Sequence, residues 1–573
     1  MDHMTDPAAR VAQAAAARVA PRWPAFFTRF SVTSDQLVLA AGVFWALAVN
    51  RPFFAAVLHA LGGGEGVSWT LVMALAVLLA SLHVLLAGLV CTRRTVKPVL
   101  ALMTLVAASA LHYMQAYGVV LDPSMLRNVL RTDTAEAGEL LTLGLVLDLL
   151  LYGALPIAFL LAARVESRPW RRALVTRGAL LGGAALALVG SLMWQFQPIA
   201  SLTRNHKEVR YLITPANVLW SVGSVVAADA RGAAQPRQPI GLDAAPGPTW
   251  AAQTRPRLMV VVIGETVRGA NWGLNGYARQ TTPQLARLQA TAPLVNFSDA
   301  TACGTSTEVS LPCMFAPVGR RDYSESRIRG SESLLHVLAR AGAKVTWRDN
   351  QSGCKGVCAG LPVEFVNAAS APGLCQGDRC WDEGLLRGLD ERLQRAKGVE
   401  VLVLHMLGNH GPSYFRRYPS AFERFRPTCR EDDLSRCTAE QIVNAYDNAV
   451  LYTDHVLASL IATLDAHADK VDSALVYASD HGESLGEKGL FLHGVPFAIA
   501  PREQTHVPMV MWWSAGFGRT SGLDAGCMRE RSRQPVTHDH LFHTMLGLLD
   551  VRTALYAPEW DASGACREKG PAQ

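Results

Sequence analysis

Trp69–Cys91 runs for 23 residues without an Asp, Glu, Lys or Arg. A helix of that length crosses roughly 30 Å of hydrocarbon with every backbone polar group satisfied internally. Val99–Leu121, Leu143–Ala163 and Gly178–Phe196 are similar runs, the third of these four marked by Asp148 and Pro156. Leu37–Leu61 is weaker because Asn50-Arg51-Pro52 interrupts it. Together they predict five membrane spans.

The basic residues support this against the alternative of buried helices in a soluble protein. Arg10, Arg18, Arg22 and Arg29 precede the first span; Arg93, Arg94 and Lys97 follow the second; Arg164, Arg168, Arg171, Arg172 and Arg177 follow the fourth. The first connection carries almost none and the third only Arg127 and Arg131. Cytoplasmic loops are the ones enriched in Lys and Arg, so the N-terminus is expected inside and everything after the fifth span outside. Topology thus accounts for much of the net charge of +6, and no basic run of the kind that tracks nucleic acid is present. The expected divisions are an Ala/Arg-rich cytoplasmic tail at 1–34, without the apolar core of a cleavable signal, a five-span transmembrane domain at 35–198, interfacial helices and a linker at 199–256, and an outer domain at 257–573.

Ten of the 11 cysteines lie in that outer domain. Eight fall into close pairs along the chain: Cys303 and Cys313, Cys354 and Cys358, Cys375 and Cys380, and Cys429 and Cys437. Cys527 and Cys566 are a further candidate pair. Thiolate zinc sites are the alternative for Cys354 with Cys358 and for Cys375 with Cys380. An oxidising compartment outside the membrane favours disulfides.

From Arg257 the pattern changes. Leu258–Ile263, Val401–Leu404 and Ala474–Ala478 are short apolar runs separated by helical patterns such as Glu332–Ala343 and Ala439–Ala466. Short buried strands alternating with helices predict an α/β domain with a mostly parallel central sheet. Each run ends in polar residues: Gly264-Glu265-Thr266, then His405 to Pro412 with Asn409-His410-Gly411, then Ser479-Asp480-His481-Gly482-Glu483. Ligands of open α/β sheets bind beyond the carboxyl ends of the strands. Glu265, Asp480 and His481 form a carboxylate–imidazole set suited to zinc or manganese. His410 and His493 are candidates to steady a leaving oxygen. A hydroxyl from Thr305-Ser306-Thr307, bracketed by Cys303 and Cys313, is the candidate nucleophile, activated by the metal for phosphoryl or sulfuryl transfer. The residues alone do not separate the three hydroxyls. His538, Asp539, His540 and His543 also cluster, and read as a helix start and packing.

These motifs, with Asp349-Asn350-Gln351-Ser352-Gly353-Cys354-Lys355, resemble the lipid A phosphoethanolamine transferases of the bacterial inner membrane, including the mobile colistin-resistance enzymes. The resemblance covers essentially the whole chain after the tail. It implies an alkaline-phosphatase/sulfatase type of fold in the periplasmic domain, Thr307 as nucleophile, and zinc held by Glu265, Thr307, Asp480 and His481, with a second zinc as an option. His410 and His493 are its accessory metal or substrate residues. It implies phosphatidylethanolamine as donor, lipid A phosphate as acceptor and a phosphothreonine intermediate. Polymyxin resistance follows from lowered surface negative charge, since cationic peptides are attracted by that charge. Asn128, Thr132 and Glu136 match its head-group residues, and their spacing of four puts all three on one helix face. Ser333 and Val337 stand where polar donor-pocket residues are expected. The enzyme is expected to act as a monomer. The rivals are transfer to another lipopolysaccharide or glycan acceptor, a sulfatase (whose Cys-x-Pro/Ser-x-Arg signature is absent), a glycerol-phosphate polymerising relative, and an inactive sensor or scaffold.

Overall fold

The computed structural model describes residues 30–60, 68–132, 134–233, 236–377 and 379–567. Most of the tail assigned to 1–34 lies outside them. Trp69–Val90, Val96–Ala116, Leu143–Ala162 and Trp170–Trp194 are helices long and apolar enough to span a membrane. The first predicted span is a bent pair, Ser34–Val49 and Arg51–Ala60, broken at Asn50. The Asn50 side chain is instead paired with the backbone of Thr214, donating to its carbonyl at 2.7 Å and accepting from its N–H at 2.9 Å.

Ala439–Ala466 passes the same test of length and composition, but it belongs to the α/β domain. It is capped by a Thr438/Gln441 capping box and buries Tyr446, Val450, Leu457 and Ile461 against the sheet. Trp170–Trp194 differs in kind: Leu174, Val175, Leu186 and Val189 are exposed, a set of apolar side chains that hydrocarbon accommodates and water does not.

The chain divides into two compact units. One takes its described residues from Met1–Ala48, Ser68–Leu105 and Leu150–Phe196. In it Trp170–Trp194 and Ser34–Phe44 pack on Trp69–Val90. Arg177 joins three of its segments, bonding the Asp35 carboxylate at 2.6 Å and the Cys91 carbonyl at 2.6 Å. The latter is one of the orphan carbonyls at a helix end.

The other unit holds the remaining chain and an eight-stranded sheet. Its strands are β1 (Arg257–Gly264), β2 (Leu294–Thr301), β3 (Lys344–Asp349), β4 (Val363–Phe365), β5 (Val399–His405), β6 (Asp472–Ser479), β7 (His506–Trp513) and β8 (Val536–Thr537). Their order is β8-β2-β7-β6-β1-β5-β3-β4, and only β7 runs antiparallel to its neighbours. Alternation along β1 sends Met259, Val261 and Ile263 into one apolar core and Leu258, Val260 and Val262 into the other, so both faces are covered.

Two expectations need correction. The supposed linker before Arg257 is docked on this domain. Ala245–Pro246 pairs with Val551–Arg552, and the Trp250 indole donates to the Leu549 carbonyl at 2.5 Å. Its Pro and Gly serve turns in a packed segment. Secondly, Asn128, Thr132 and Glu136 do not share one helix. Pro123–Arg131 stops at Thr132, whose backbone is extended, and Thr134–Glu139 is a separate helix. The Thr132 hydroxyl donates to the Asn128 carbonyl at 2.9 Å, a local bond that competes with continuing the helix.

The expected cysteine pairs are disulfides. Cys303 is bonded to Cys313, Cys354 to Cys358, Cys375 to Cys380 and Cys429 to Cys437. Cys527 and Cys566 form a fifth bond, and Cys91 is a free thiol. The thiolate-zinc alternative therefore falls: Cys354, Cys358, Cys375 and Cys380 have no thiolate to offer a metal. Their role is packing and cross-linking. Cys358 is buried in the core that holds Met259, and Cys437 packs against the core that holds Leu258.

Candidate active site

Parallel register brings the strand ends level: Ser479 on β6 is opposite Gly264 on β1, and His405 on β5 is opposite both Ile263 and Asp349. The residues just beyond them, Glu265, Asp480 and His481, are fully buried and offer three ligand atoms within 4.8 Å of one another. The His481 Nε2 lies 3.3 Å from Glu265 Oε1 and 3.3 Å from Asp480 Oδ2.

Thr307 completes the cluster. It is the first residue of the helix Thr307–Met314, with Ser306 at the cap. Its hydroxyl donates to Glu265 Oε1 at 3.0 Å and lies 3.4 Å from His481 Nε2. The neighbouring hydroxyls are placed otherwise. Thr305 donates to the Val495 carbonyl at 2.7 Å, and Ser306 Oγ is buried without a partner. The helix N-terminus adds partial positive charge where an oxyanion or phosphoryl group on Thr307 would sit.

These side chains fit a divalent cation. Asp480 uses Oδ1 to accept from the backbone N–H groups of Thr266 and His481, leaving Oδ2 buried without a hydrogen bond. The His481 Nδ1–H donates to the Gly482 carbonyl at 2.9 Å, which fixes the tautomer that presents Nε2 as a lone-pair donor. Burial and the Glu265 carboxylate push the Asp480 carboxyl up to about 7. Burial disfavours charge on His481, yet Asp480 and Glu265 lift it to about 10. Burial raises the Glu265 carboxyl too, but the His481 imidazole outweighs it and holds the group below the usual carboxylate range. Two carboxylates buried this close call for a positive charge between them, which a divalent metal that accepts N and O donors would supply.

His410 and His493 adjoin the cluster. The His493 ring lies 4.4 Å from that of His481 and 5.2 Å from that of His410. His410 Nε2 pairs with Glu136 at 2.9 Å, so of the three suggested head-group residues Glu136 is the one bonded here. Burial opposes charge on both partners, but the pairing takes His410 up to about 9 and Glu136 down to about 2. Lys355, from the Asp349–Lys355 motif, lies beside Glu308, the neighbour of Thr307: its Nζ donates to Ser352 Oγ at 2.7 Å and sits 3.5 Å from Glu308. Arg131 and Arg329 reach the same Glu308 carboxylate at 2.8 Å and 3.2 Å.

Sequence reasoning missed several groups. Glu483 bridges His493 Nδ1 at 2.9 Å and the Tyr414 hydroxyl at 2.7 Å. His405 bonds Asp349 at 3.0 Å and places Nε2 3.9 Å from Glu265. Both His405 and Asp349 end parallel strands, so the strand-end rule extended to every strand finds them. Other suggested residues are structural. Ser333 caps the helix Leu334–Arg340, and Val337 is in the core. His538 Nδ1 accepts from the Cys303 N–H at 3.1 Å, and burial holds its imidazole down to about 4, neutral as packing requires.

A family model described as phosphoethanolamine transferase EptA/EptB matches residues 78–230, and the sulfatase model matches 257–551. Phosphoethanolamine transferase EptA of Escherichia coli strain K12 is 39% identical over 480 residues, covering 82% of this chain and 86% of the relative. The chain belongs to the phosphoethanolamine transferase family. Phosphatidylethanolamine transferase Mcr-1 of Escherichia coli is 36% identical over 533 residues, covering 91% of this chain and 96% of that one. The integral membrane lipooligosaccharide phosphoethanolamine transferase A from Neisseria meningitidis superposes with a TM-score of 0.89 at 37% identity, covering 94% of this chain and 100% of that one. Cys303, held in its disulfide with Cys313, is not available as a sulfatase-type formylglycine precursor.

Proposed function

We propose that this chain transfers phosphoethanolamine from phosphatidylethanolamine to a lipid A phosphate through a phosphothreonine at Thr307. The observation that carries the reading is the Thr307 hydroxyl, at a helix N-terminus and 3.0 Å from Glu265, in a buried cluster with Asp480 and His481. Glu265, Thr307, Asp480 and His481 would hold zinc. Zinc bound there supplies Lewis acidity that lowers the hydroxyl's pKa and neutralises charge on the reacting phosphate.

The residues divide the work. Glu265 accepts the Thr307 hydroxyl hydrogen bond and aims the oxygen. In the first half-reaction Thr307 Oγ1 gives up its proton and bonds to phosphorus, the bond to the diacylglycerol oxygen breaks, and that oxygen takes up one proton, so none is gained overall. A cationic His410, beside the His493 ring, would stabilise or protonate the departing oxygen, while Glu483 and Tyr414 fix the His493 ring. In the second half-reaction an acceptor phosphate oxygen bonds to phosphorus. The phosphorus–Oγ1 bond breaks, and Oγ1 recovers a proton given up by the acceptor. Glu136, with Asn128 and Thr132 on the preceding segment, suits the ethanolamine ammonium.

The spans anchor the chain in the inner membrane with its N-terminus cytoplasmic and the α/β domain periplasmic. Residues 1–34 are then the cytoplasmic tail, 35–198 the spans, 199–256 the interfacial and connecting segment, and 257–573 the catalytic domain. The exposed Trp220 of Ala216–Ala233 suits a membrane interface. One chain carries the full ligand set, which fits action as a monomer. The amine placed on lipid A lowers its negative charge and so weakens polymyxin binding.

Thr307→Ala is expected to abolish the phosphoethanolamine adduct on lipid A in expressing cells, read by mass spectrometry, with membrane yield unchanged. An adduct that persists in the variant removes Thr307 as nucleophile. An adduct confined to core sugars in the wild type moves the acceptor.

A further inference from the structure

A cavity of about 230 Å³ opens beside His410, lined among others by Glu136, Ser352, Arg379 and Arg417. We propose that this cavity is the subsite for the acceptor's phosphate, with Arg417 and Arg379 as its cations; the proposal rests on the two-step transfer through Thr307 put forward above. Arg417 is built into the fold. Its side chain is 0% exposed and bonds the Glu139 carboxylate through Nη2 at 2.6 Å. Its Nε donates to the His410 carbonyl at 2.5 Å. Its Nη1 is buried without a partner, and an unpaired buried donor carries a desolvation cost that a ligand oxygen would remove.

Charge points the same way. Of the carboxylates lining the cavity, Glu136 is paired with His410 and Asp349 with His405. Arg379 and Arg417 both bond Glu139, so two guanidinium groups share that carboxylate. A guanidinium fork matches phosphate oxygens. Glu136 is the part of the cavity left to the ethanolamine ammonium, while the donor's phosphate cannot occupy the Arg379 and Arg417 end at the moment of reaction, because its phosphorus must sit on Thr307. His410, which lines the cavity, lies next to His493 and that in turn next to His481, whose Nε2 is 3.4 Å from the Thr307 hydroxyl. A second phosphate, the one that attacks, is the group still in need of a cation.

The test uses the full-length enzyme in detergent with phosphatidylethanolamine and bis-phosphorylated lipid A, and separates the half-reactions. Arg379→Gln, Arg417→Gln and the double variant Arg417→Gln/Glu139→Gln are compared with wild type. The double variant removes both buried charges at similar volume, which keeps the question answerable if Arg417→Gln alone does not fold. Without acceptor, and with phosphatidylethanolamine saturating so that a weaker hold on the donor head-group does not register, adduct formation on the Thr307 peptide and diacylglycerol release should stay within about twofold of wild type. When loaded enzyme is then mixed with lipid A, transfer should slow roughly tenfold or more, with a raised KM for lipid A. Equal losses in both half-reactions would mark a donor or purely structural role and overturn the proposal, as would unchanged transfer. If wild type forms no Thr307 adduct, the phosphothreonine route fails on its own account. The steady-state KM for lipid A in Arg379→Gln then decides the subsite, and an unchanged value overturns it.

Discussion

The strand-end cluster and the segment 123–139 are two ways of placing a functional side chain. Glu265, Asp480 and His481 follow two adjacent parallel strands whose register is fixed over eight residue pairs. Glu136 lies on a helix of six residues, after a break at Thr132, and is located by ion pairs: its own with His410, and that of Glu139 with Arg417. The first construction holds a geometry that chemistry requires. The second places a proposed substrate contact on a piece of chain whose position depends on a few charges. Disturbing the first should therefore cost rate outright, and disturbing the second should change binding and pH dependence.

The largest effect is expected at the cluster. Asp480→Asn removes one carboxylate charge and should lower transfer to lipid A by roughly 100-fold or more, since even indirect supports of metal ligands cost 10- to 100-fold. Chelation of the wild type should abolish transfer, and zinc should restore it. It should also lower the melting temperature, because a ligand present at 1,000 times its dissociation constant stabilises the native state by about 4 kcal/mol. Transfer that survives exhaustive chelation would refute the metal assignment.

How much of this is legible in the sequence follows the same division. The apolar runs Leu258–Ile263 and Ala474–Ala478 point to Glu265, Asp480 and His481 because strand periodicity and parallel pairing make strand ends coincide. The choice of Thr307 over Thr305 and Ser306 comes from family resemblance, since it depends on where each hydroxyl is spent: Thr305 on the Val495 carbonyl, Thr307 on Glu265. The pairing of Cys354 with Cys358 and of Cys429 with Cys437 is legible because each pair is four or eight positions apart in a domain expected outside the membrane. The segment 123–139 misleads, because a spacing of four has meaning only while the helix continues, and Thr132 ends it. Residues 245–250 read as linker because Pro and Gly mark turns in docked and undocked chain alike. Arg417 and Glu139 carry no local signal, being 278 positions apart.

A smaller, pH-dependent effect is expected at Glu136. His410 has a folded value of about 9 against roughly 6.5 unfolded, so the charged pair contributes fully below about pH 6.5 and is lost as pH rises through about 9. Glu136 is depressed to about 2, so on the acid side the pair persists until pH falls toward that value. Glu136→Gln removes the partner that lifts His410. Transfer should fall about tenfold at pH 8, and the basic limb of the rate profile should move toward neutral pH. A parallel drop at every pH would mean that Glu136 acts without His410.

The smallest effect is expected at Asn128. It is half-buried at the C-terminal part of Pro123–Arg131, and its carbonyl receives the Thr132 hydroxyl, a bond that survives truncation of the side chain. Asn128→Ala therefore keeps the break at Thr132 while deleting one polar group proposed to face the donor head-group. At a half-buried position water replaces part of the lost hydrogen bond to the ammonium, which leaves a cost of about 1 kcal/mol, so the KM for phosphatidylethanolamine should rise roughly fivefold with kcat nearly unchanged. If kcat falls instead, Asn128 contributes to the transition state, and the separation between a rate-setting cluster and a binding segment does not hold.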